Sequence, residues 1–141
     1  MKKNSHDNLE FVQNSPKYYE FIRKLRNMDS VRQRFISQDY INKKQQTAYM
    51  RKHRNHYFLC LFNGKAAGYI GVVRGDIRIA VHPKFQRKGI GLFLVKNIIK
   101  NYPNLQAKVK IDNKASFNLF KKAGFSLKYY LFEHGKGEKN V

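Results

Sequence analysis

A chain of 141 residues that is 42% hydrophobic and 14% aromatic can bury one domain's core, which excludes a disordered chain. Its 29 Lys and Arg face 9 Asp and Glu, a formal charge of +20 spread along the chain, which disfavours polycationic partners and attracts anionic ones. The single cysteine, Cys60, excludes an internal disulfide, and with no charged-then-apolar leader and no membrane-length apolar run the expected setting is a reducing cytoplasm.

Residues 1–8 read as a polar, flexible tail, and Leu9 to Val12 as a short first strand. Pro16 opens a helix with Ser15 at its cap and an apolar stripe of Tyr18, Tyr19, Phe21, Ile22 and Leu25. A second helix is expected from about Asp39 to Lys52, with Tyr40, Ile41, Ala48 and Tyr49 towards the core. Tyr57 to Phe62, the Asn63-Gly64 turn and Ala67 to Val73 predict a hairpin, since Asn-Gly supplies the positive φ angles of a two-residue turn. Cys60 falls in this run as a small buried hydrophobe. Arg74-Gly75-Asp76 then turns into Ile77 to Val81, completing an antiparallel meander.

A helix follows Gly91, with Leu94, Val95, Ile98, Ile99 and Tyr102 at helical spacing and Pro103 as its stop. Ala107 to Ile111 alternates apolar residues with Lys108 and Lys110, the pattern of a half-buried strand. Asp112 or Asn113 can cap the next helix, Gly124 fits its left-handed end, and Leu127 to Phe132 reads as a last strand. A solvated, flexible tail from residue 134 completes the plan, whose single domain covers residues 9–133.

The chemistry is concentrated where the third strand of the meander meets the next helix, Ile79-Ala80-Val81-His82-Pro83-Lys84-Phe85-Gln86-Arg87-Lys88-Gly89-Ile90-Gly91. Several N–H groups at a helix start lack an intrahelical acceptor, and the macrodipole adds about half a positive charge there. Gly89 and Gly91 let an anion approach the backbone, and Arg87 and Lys88 add charge around it. Such glycines also serve tight turns with no ligand.

This junction, with its Gln-x-x-Gly-x-Gly turn, resembles the acetyl-CoA signature of the GNAT acetyltransferase superfamily. Asn113-Lys114-Ala115-Ser116-Phe117-Asn118-Leu119-Phe120-Lys121-Lys122-Ala123-Gly124-Phe125 is similar to that family's later helix and its Gly-Phe ending. The resemblance implies a GNAT-like α/β fold: a mixed, mainly antiparallel sheet flanked by helices, splayed into a cleft between its fourth and fifth strands. It implies acetyl-CoA as acetyl donor, with pantetheine along Ile79, Ala80 and Val81. The pyrophosphate would then be wrapped by Gln86, Arg87, Lys88, Gly89, Ile90, Gly91 and Leu92. Asn113 and Phe120 would meet the donor from the later helix, although Asn113 is equally suited to plain helix capping. No metal is expected.

By the same resemblance a neutral amine attacks the thioester directly, with the Val81 backbone N–H polarising the carbonyl. Phe120 stands where several members place an acidic tyrosine, and Lys108 where some place a basic carboxylate. Three readings follow: no protein acid is needed, the acid or base comes from Tyr49, His53, His56, Asp76 or His82, or the chain binds CoA without turnover. Catalysis without an acid at Phe120, which leaves the first two readings open, is favoured over a silent scaffold; a CoA thiolate is a good leaving group that water can protonate.

Residues Arg26 to Arg32, followed by Phe35-Ile36-Ser37, resemble the region of GNAT members that acetylate amines on nucleotide-linked sugars. Arg26, Arg32 and Tyr49 are therefore candidate acceptor-binding residues, and Arg34, Arg51 and Arg54 add charge that favours an anionic acceptor. The partner expected is thus an amine-bearing, anionic small molecule, with no membrane involved and the chain a monomer or homodimer. Acetylation of a peptide or protein amine is one alternative. A non-catalytic CoA- or polyanion-binding module is another, since nonspecific polyanion binding is compatible with +20, although the basic residues form no helix-turn-helix, zinc or RNA-binding motif.

Overall fold

The computed structural model describes residues 6–135; residues 1–5 and 136–141, most of the two expected tails, lie outside the described residues. Four strands form one antiparallel sheet in the order β1 (Leu9–Gln13), β2 (Tyr57–Phe62), β3 (Lys65–Val73) and β4 (Asp76–Val81). Asn63 and Gly64 turn β2 into β3 with φ of 50° and 85°, and Arg74 and Gly75 turn β3 into β4 with 53° and 82°. Both loops thus take the positive-φ pair that keeps the twist of a tight hairpin.

The inner strands read as nearly unbroken apolar runs because both faces are covered. Alternate residues separate cleanly. Phe58, Cys60, Ile70 and Val72 pack on one side with Ile90, Leu94, Val95 and Ile98 of α4 (Ile90–Ile99). Tyr57, Leu59, Tyr69 and Val73 pack on the other with Ile22, Leu25 and Met50. Leu94, Val95 and Ile98 are completely buried, each burial contributing about 1.5–3 kcal/mol. The helix ends at Ile99, which is itself partly exposed, well before Pro103.

Ile22 and Leu25 belong to α1 (Tyr19–Asn27), which follows a 3-10 turn at Pro16–Tyr18; Ser15 occupies the cap position without a side-chain cap bond. A single turn, α2 (Asp29–Arg32), comes next, so three helical segments rather than two precede the main meander. The third is α3 (Lys43–His53), which starts four residues later than expected. A capping box fixes that start: Asn42 Oδ1 accepts from the Gln45 N–H at 2.8 Å, and Gln45 Oε1 accepts from the Asn42 N–H at 2.8 Å. Consequently Tyr40 and Ala48 are exposed, and Gln46 and Met50 take the core face expected of them. Asn27 secures the intervening loop, bonding the carbonyl and N–H of Ile41 at 2.7 and 2.8 Å.

Two expected strands are not paired in the structure. Beyond β4 the only bridge among the described residues is parallel, between Asp76 and Gln106, made by the Ile77 N–H to Gln106 O and the Gln106 N–H to Gly75 O, each 2.8 Å. The chain then diverges from β4. Ala107 and Val109 still pack on the core and Lys108 pairs with Asp76 at 3.4 Å, while Ile111 is wholly exposed. Alternation placed Ala107 and Val109 correctly but not Ile111, which the unpaired backbone carries away from the core, and it could not supply a ladder partner. Residues 127–132 are likewise unpaired and exposed, after α5 (Lys114–Lys122) and Gly124, whose φ is 97°. Among the described residues, mixed sheet character is therefore confined to the Asp76–Gln106 bridge.

Candidate active site

The divergence from β4 opens the cleft. Along one edge of a strand, N–H groups recur every second residue. The Ile77 N–H on that edge is bonded to Gln106, whereas those of Ile79 and Val81 find no acceptor among the described residues. They face a cavity of about 1150 Å³ whose walls include Ile79, Ala80 and Val81 on one side and Ala107, Lys108 and Val109 on the other. Val81 thus offers a free backbone donor to the cavity it lines.

At one end of the cavity stands the start of α4. Phe93 is the first residue of this helix whose N–H reaches an intrahelical carbonyl, that of Gly89 at 3.0 Å, which leaves the N–H groups of Ile90, Gly91 and Leu92 for an outside acceptor. Gly89 caps the helix at φ 79°, and a Cβ there would meet nothing within 4 Å, so space lies open against the backbone. Gly91 has a different duty: a Cβ would lie 3.3 Å from Leu119 Cδ2, so this glycine lets α5 pack close. Gln86, Arg87, Gly89, Ile90, Gly91 and Leu92 all line the cavity. Lys88 does not; its ammonium lies 5.3 Å from the centroid of the Phe62 ring.

On α5, Asn113 Oδ1 accepts from the Ser116 N–H at 3.1 Å, the capping role, and its Nδ2 donates to Arg34 O at 3.3 Å. Lys110 Nζ likewise donates to Gln33 O at 3.1 Å, so the divergent segment and α5 are tied to the loop after α2. Phe120 is buried in the cavity wall, its ring edge-on to Phe125 at 5.2 Å. No hydroxyl is offered there.

Towards α1 and α3 the cavity meets Arg26, Tyr49, Tyr57 and Tyr69. Arg26 stacks on Phe35 at 4.4 Å and donates through Nη2 to Ser37 O at 2.5 Å, while its buried Nη1 has no partner among the described residues. Burial lowers its pKa, which marks a guanidinium short of solvent. The Tyr49 and Tyr57 hydroxyls are 2.8 Å apart. Burial pushes the Tyr57 and Tyr69 phenols well above the usual tyrosine range, so both stay protonated and serve as donors rather than bases. Composition hid these two tyrosines as ordinary strand residues; their odd-numbered positions, on the face opposite α4, were the available signal.

Other sequence candidates lie elsewhere. Arg32 pairs with Asp29 at 2.9 Å, and Arg32, Arg51 and Arg54 do not line the cavity, though Arg34 does. His82 accepts from the Lys84 N–H at 3.0 Å and so shapes the turn. His53 is 4.5 Å from the Tyr49 ring centroid to centroid, and His56 is 3.3 Å from the Tyr102 hydroxyl; neither lines the cavity. Asp76 does, but paired with Lys108.

β4 diverges from the segment Ala107–Val109 and leads to a helix start whose first N–H groups are open, and the profile of the acetyltransferase (GNAT) family matches residues 19–125. The chain belongs to the GNAT acetyltransferase family. It is an acetyl-CoA-dependent N-acetyltransferase, an acyltransferase. Among solved structures it is similar to a Vibrio cholerae spermidine N-acetyltransferase in complex with CoA and spermine, with TM-score 0.73 and 18% identity over 93% of this chain and 87% of that one. A GNAT acetyltransferase from Bacillus anthracis aligns with TM-score 0.75 and 16% identity over 94% and 87%. An aminoglycoside N-acetyltransferase in complex with CoA aligns with 0.64 and 17% over 95% and 97%. At these identities the likeness shows the shared fold. No curated protein matches the chain in sequence. Among the described residues, no helix is long and apolar enough to cross a membrane, and no group of three or more His, Cys, Asp or Glu could hold a metal ion.

The residues present fit a GNAT acetyl donor. Free N–H groups on β4 and at the start of α4, with open space at Gly89, suit a chain of amides ending in phosphates.

Proposed function

We propose that this acetyltransferase moves the acetyl group of acetyl-CoA by direct attack to a primary amine on a small molecule that also carries negative charge, of which a nucleotide-linked amino sugar is one example. The observation carrying the anionic requirement is Arg26, a cation held in place by Phe35 and Ser37 with its buried Nη1 unsatisfied beside the cavity. A buried donor without an acceptor costs about 1–3 kcal/mol, which an anionic ligand would recover. The cavity walls also carry more basic than acidic side chains: Arg26, Arg34, Arg78, Arg87, Lys108 and Lys122 against Asp39 and Asp76. A polycation such as the spermine in the Vibrio cholerae structure would meet repulsion here.

In this reading residues 9–133 act as one catalytic domain of a cytoplasmic enzyme. The helix start at Gly89 to Leu92, with Gln86 and Arg87, holds the pyrophosphate, and Ile79 to Val81 take the pantetheine. Bound acetyl-CoA supplies a thioester whose carbonyl the Val81 N–H polarises. The neutral acceptor amine forms the new C–N bond, the C–S bond breaks, and the thiolate leaves to be protonated by water, since Phe120 has no proton to give. Excess protons on nitrogen pass to solvent. Lys88 and Arg32, which face away, steer anions from outside rather than touch them.

Thiol release tests this with pairs of amines matched in size and differing only in an anionic group. The anionic partner is expected to show at least about tenfold higher kcat/KM, a preference worth about 1.4 kcal/mol. Arg26→Gln should remove that preference while leaving acetyl-CoA binding intact. Equal use of both amines, or a preference that survives Arg26→Gln, contradicts the reading.

A further inference from the structure

Among the described residues only two lysines line the cleft, Lys108 and Lys122. Lys122 sits in the last turn of α5, whereas Lys108 belongs to the wall that faces Ile79, Ala80 and Val81. Two observations fix the side to which Lys108 points. Its neighbours Ala107 and Val109 pack towards α4, so alternation turns Lys108 to the opposite face. There its Nζ lies 3.4 Å from Asp76, the register partner of Val73, and Val73 packs with Ile22, Leu25 and Met50 on the side of α1 and α3. Arg26, Tyr49, Tyr57 and Tyr69 border the cavity from that same side.

Counting on from the parallel Asp76–Gln106 bridge brings Lys108 across the cleft from Arg78, next to the free N–H of Ile79. Asp76 holds this lysine only weakly. The Lys108 side chain is 57% exposed, and an ion pair so open to water contributes little. A flexible four-carbon stem lets the amine swing from Asp76 towards the free N–H groups farther along β4.

We propose that Lys108 is a self-acetylation site, modified from acetyl-CoA held in its own chain's cleft when no acceptor amine is present; this rests on the donor placement along β4 given above. Lys108 first gives its ammonium proton to solvent. Its Nζ then attacks the acetyl carbon, the C–N bond forms and the C–S bond breaks. The departing thiolate takes a proton from water, and the surplus proton on nitrogen passes to solvent. Acetyl-lysine, the CoA thiol and one released proton are the balanced products. Holding amine and thioester in one cleft makes the step unimolecular. That separates Lys108 from exposed lysines such as Lys44, Lys65 and Lys100, which meet the thioester only by diffusion. The product amide is uncharged, so Asp76 loses its partner and the cavity loses a cation.

Peptide mass spectrometry of the pure protein incubated with acetyl-CoA, and with no amine acceptor, tests the assignment. Lys108 should gain its acetyl group at least about tenfold faster than Lys44, Lys65 or Lys100. The rate per chain should saturate with acetyl-CoA and stay constant as protein concentration changes. In Lys108→Arg only the slow background on exposed lysines should remain. Equal labelling of Lys108 and the exposed lysines overturns the proposal, as does a rate that rises with protein concentration, the mark of one molecule acetylating another. A second measurement needs no turnover: brief labelling with acetic anhydride, with and without CoA. Bound CoA should shield Lys108 and leave Lys44 and Lys100 unchanged, and an unshielded Lys108 overturns the proposal. Thermal protection by acetyl-CoA, read on the same samples, separates this claim from the donor site. Protection without preferential labelling of Lys108 overturns self-acetylation alone, whereas absence of protection overturns the donor site with it.

Discussion

The hydroxyls of Tyr49 and Tyr57 lie 2.8 Å apart where α3 passes over β2, joining a half-buried phenol to one that is almost wholly buried. Room for the inner ring is provided across the strand pair: Tyr57 is the register partner of Gly71, and a Cβ at Gly71 would fall 2.6 Å from the Tyr57 ring. Gly71→Ala is therefore expected to destabilise the fold by about 1–3 kcal/mol, as overpacking does. Chemical denaturation of Gly71→Ala, Tyr57→Leu and the double variant should show a strongly non-additive cycle, because the smaller side chain removes the clash.

The same buried phenols set an alkaline limit. Burial raises the folded-state pKa of Tyr57 and Tyr69 above the unfolded value of about 10. Their contribution to stability is thus complete below pH about 10 and is lost as pH rises towards the folded values. Unfolding midpoints measured above that pH should fall steeply in the wild type and less so in Tyr57→Phe, which gives up about 1 kcal/mol at neutral pH for the lost hydroxyl contact.

Gly89 separates charge from shape at the helix start. A side chain there meets nothing within 4 Å, so Gly89→Asn and Gly89→Asp share the same modest strain at φ 79°. Saturating acetyl-CoA, at 100 times its Kd, should add about 2.7 kcal/mol to wild-type stability. Thermal unfolding is expected to show this protection retained in part by Gly89→Asn and absent in Gly89→Asp, whose carboxylate opposes the pyrophosphate.

Phe120 decides whether a protein acid matters. Its ring is buried against Phe125 and offers no proton, so catalysis by this chain does not depend on one from that position. Phe120→Tyr should change kcat by no more than a few-fold, and Phe120→Ala should destabilise by about 3–5 kcal/mol through the cavity it leaves. A rise in kcat of a hundredfold or more in Phe120→Tyr would instead show thiolate protonation to be limiting.

Much of the architecture was legible because local chemistry and burial agree in it. The Asn63-Gly64 turn, the run Tyr57 to Val81 and the apolar stripe of α4 each carry a period and a stop signal that few other folds satisfy. The junction from Ile79 to Gly91 was legible as a strand running through a glycine turn into a helix start, since glycine and an apolar helical stripe mark both sides of the turn. The start of α3 was misplaced because Asn42 and Gln45 look like surface polar residues until they bond reciprocally. Ala107–Ile111 and Leu127–Phe132 have strand alternation, but pairing is a property of partners, which no window of sequence contains. Arg26 was visible as a cation among many; only the contacts with Phe35 and Ser37 distinguish it from Arg32, which is spent on Asp29.

The most direct test of the site is a calorimetric titration of acetyl-CoA into nucleic-acid-free protein at moderate and at high salt. Saturable binding of one donor per chain that persists at high salt is predicted, because in the proposed site backbone N–H groups of β4 and α4 rather than diffuse charge would hold the ligand. Binding that is absent, or that vanishes at high salt as it would for any polyanion on a +20 surface, would contradict the assignment.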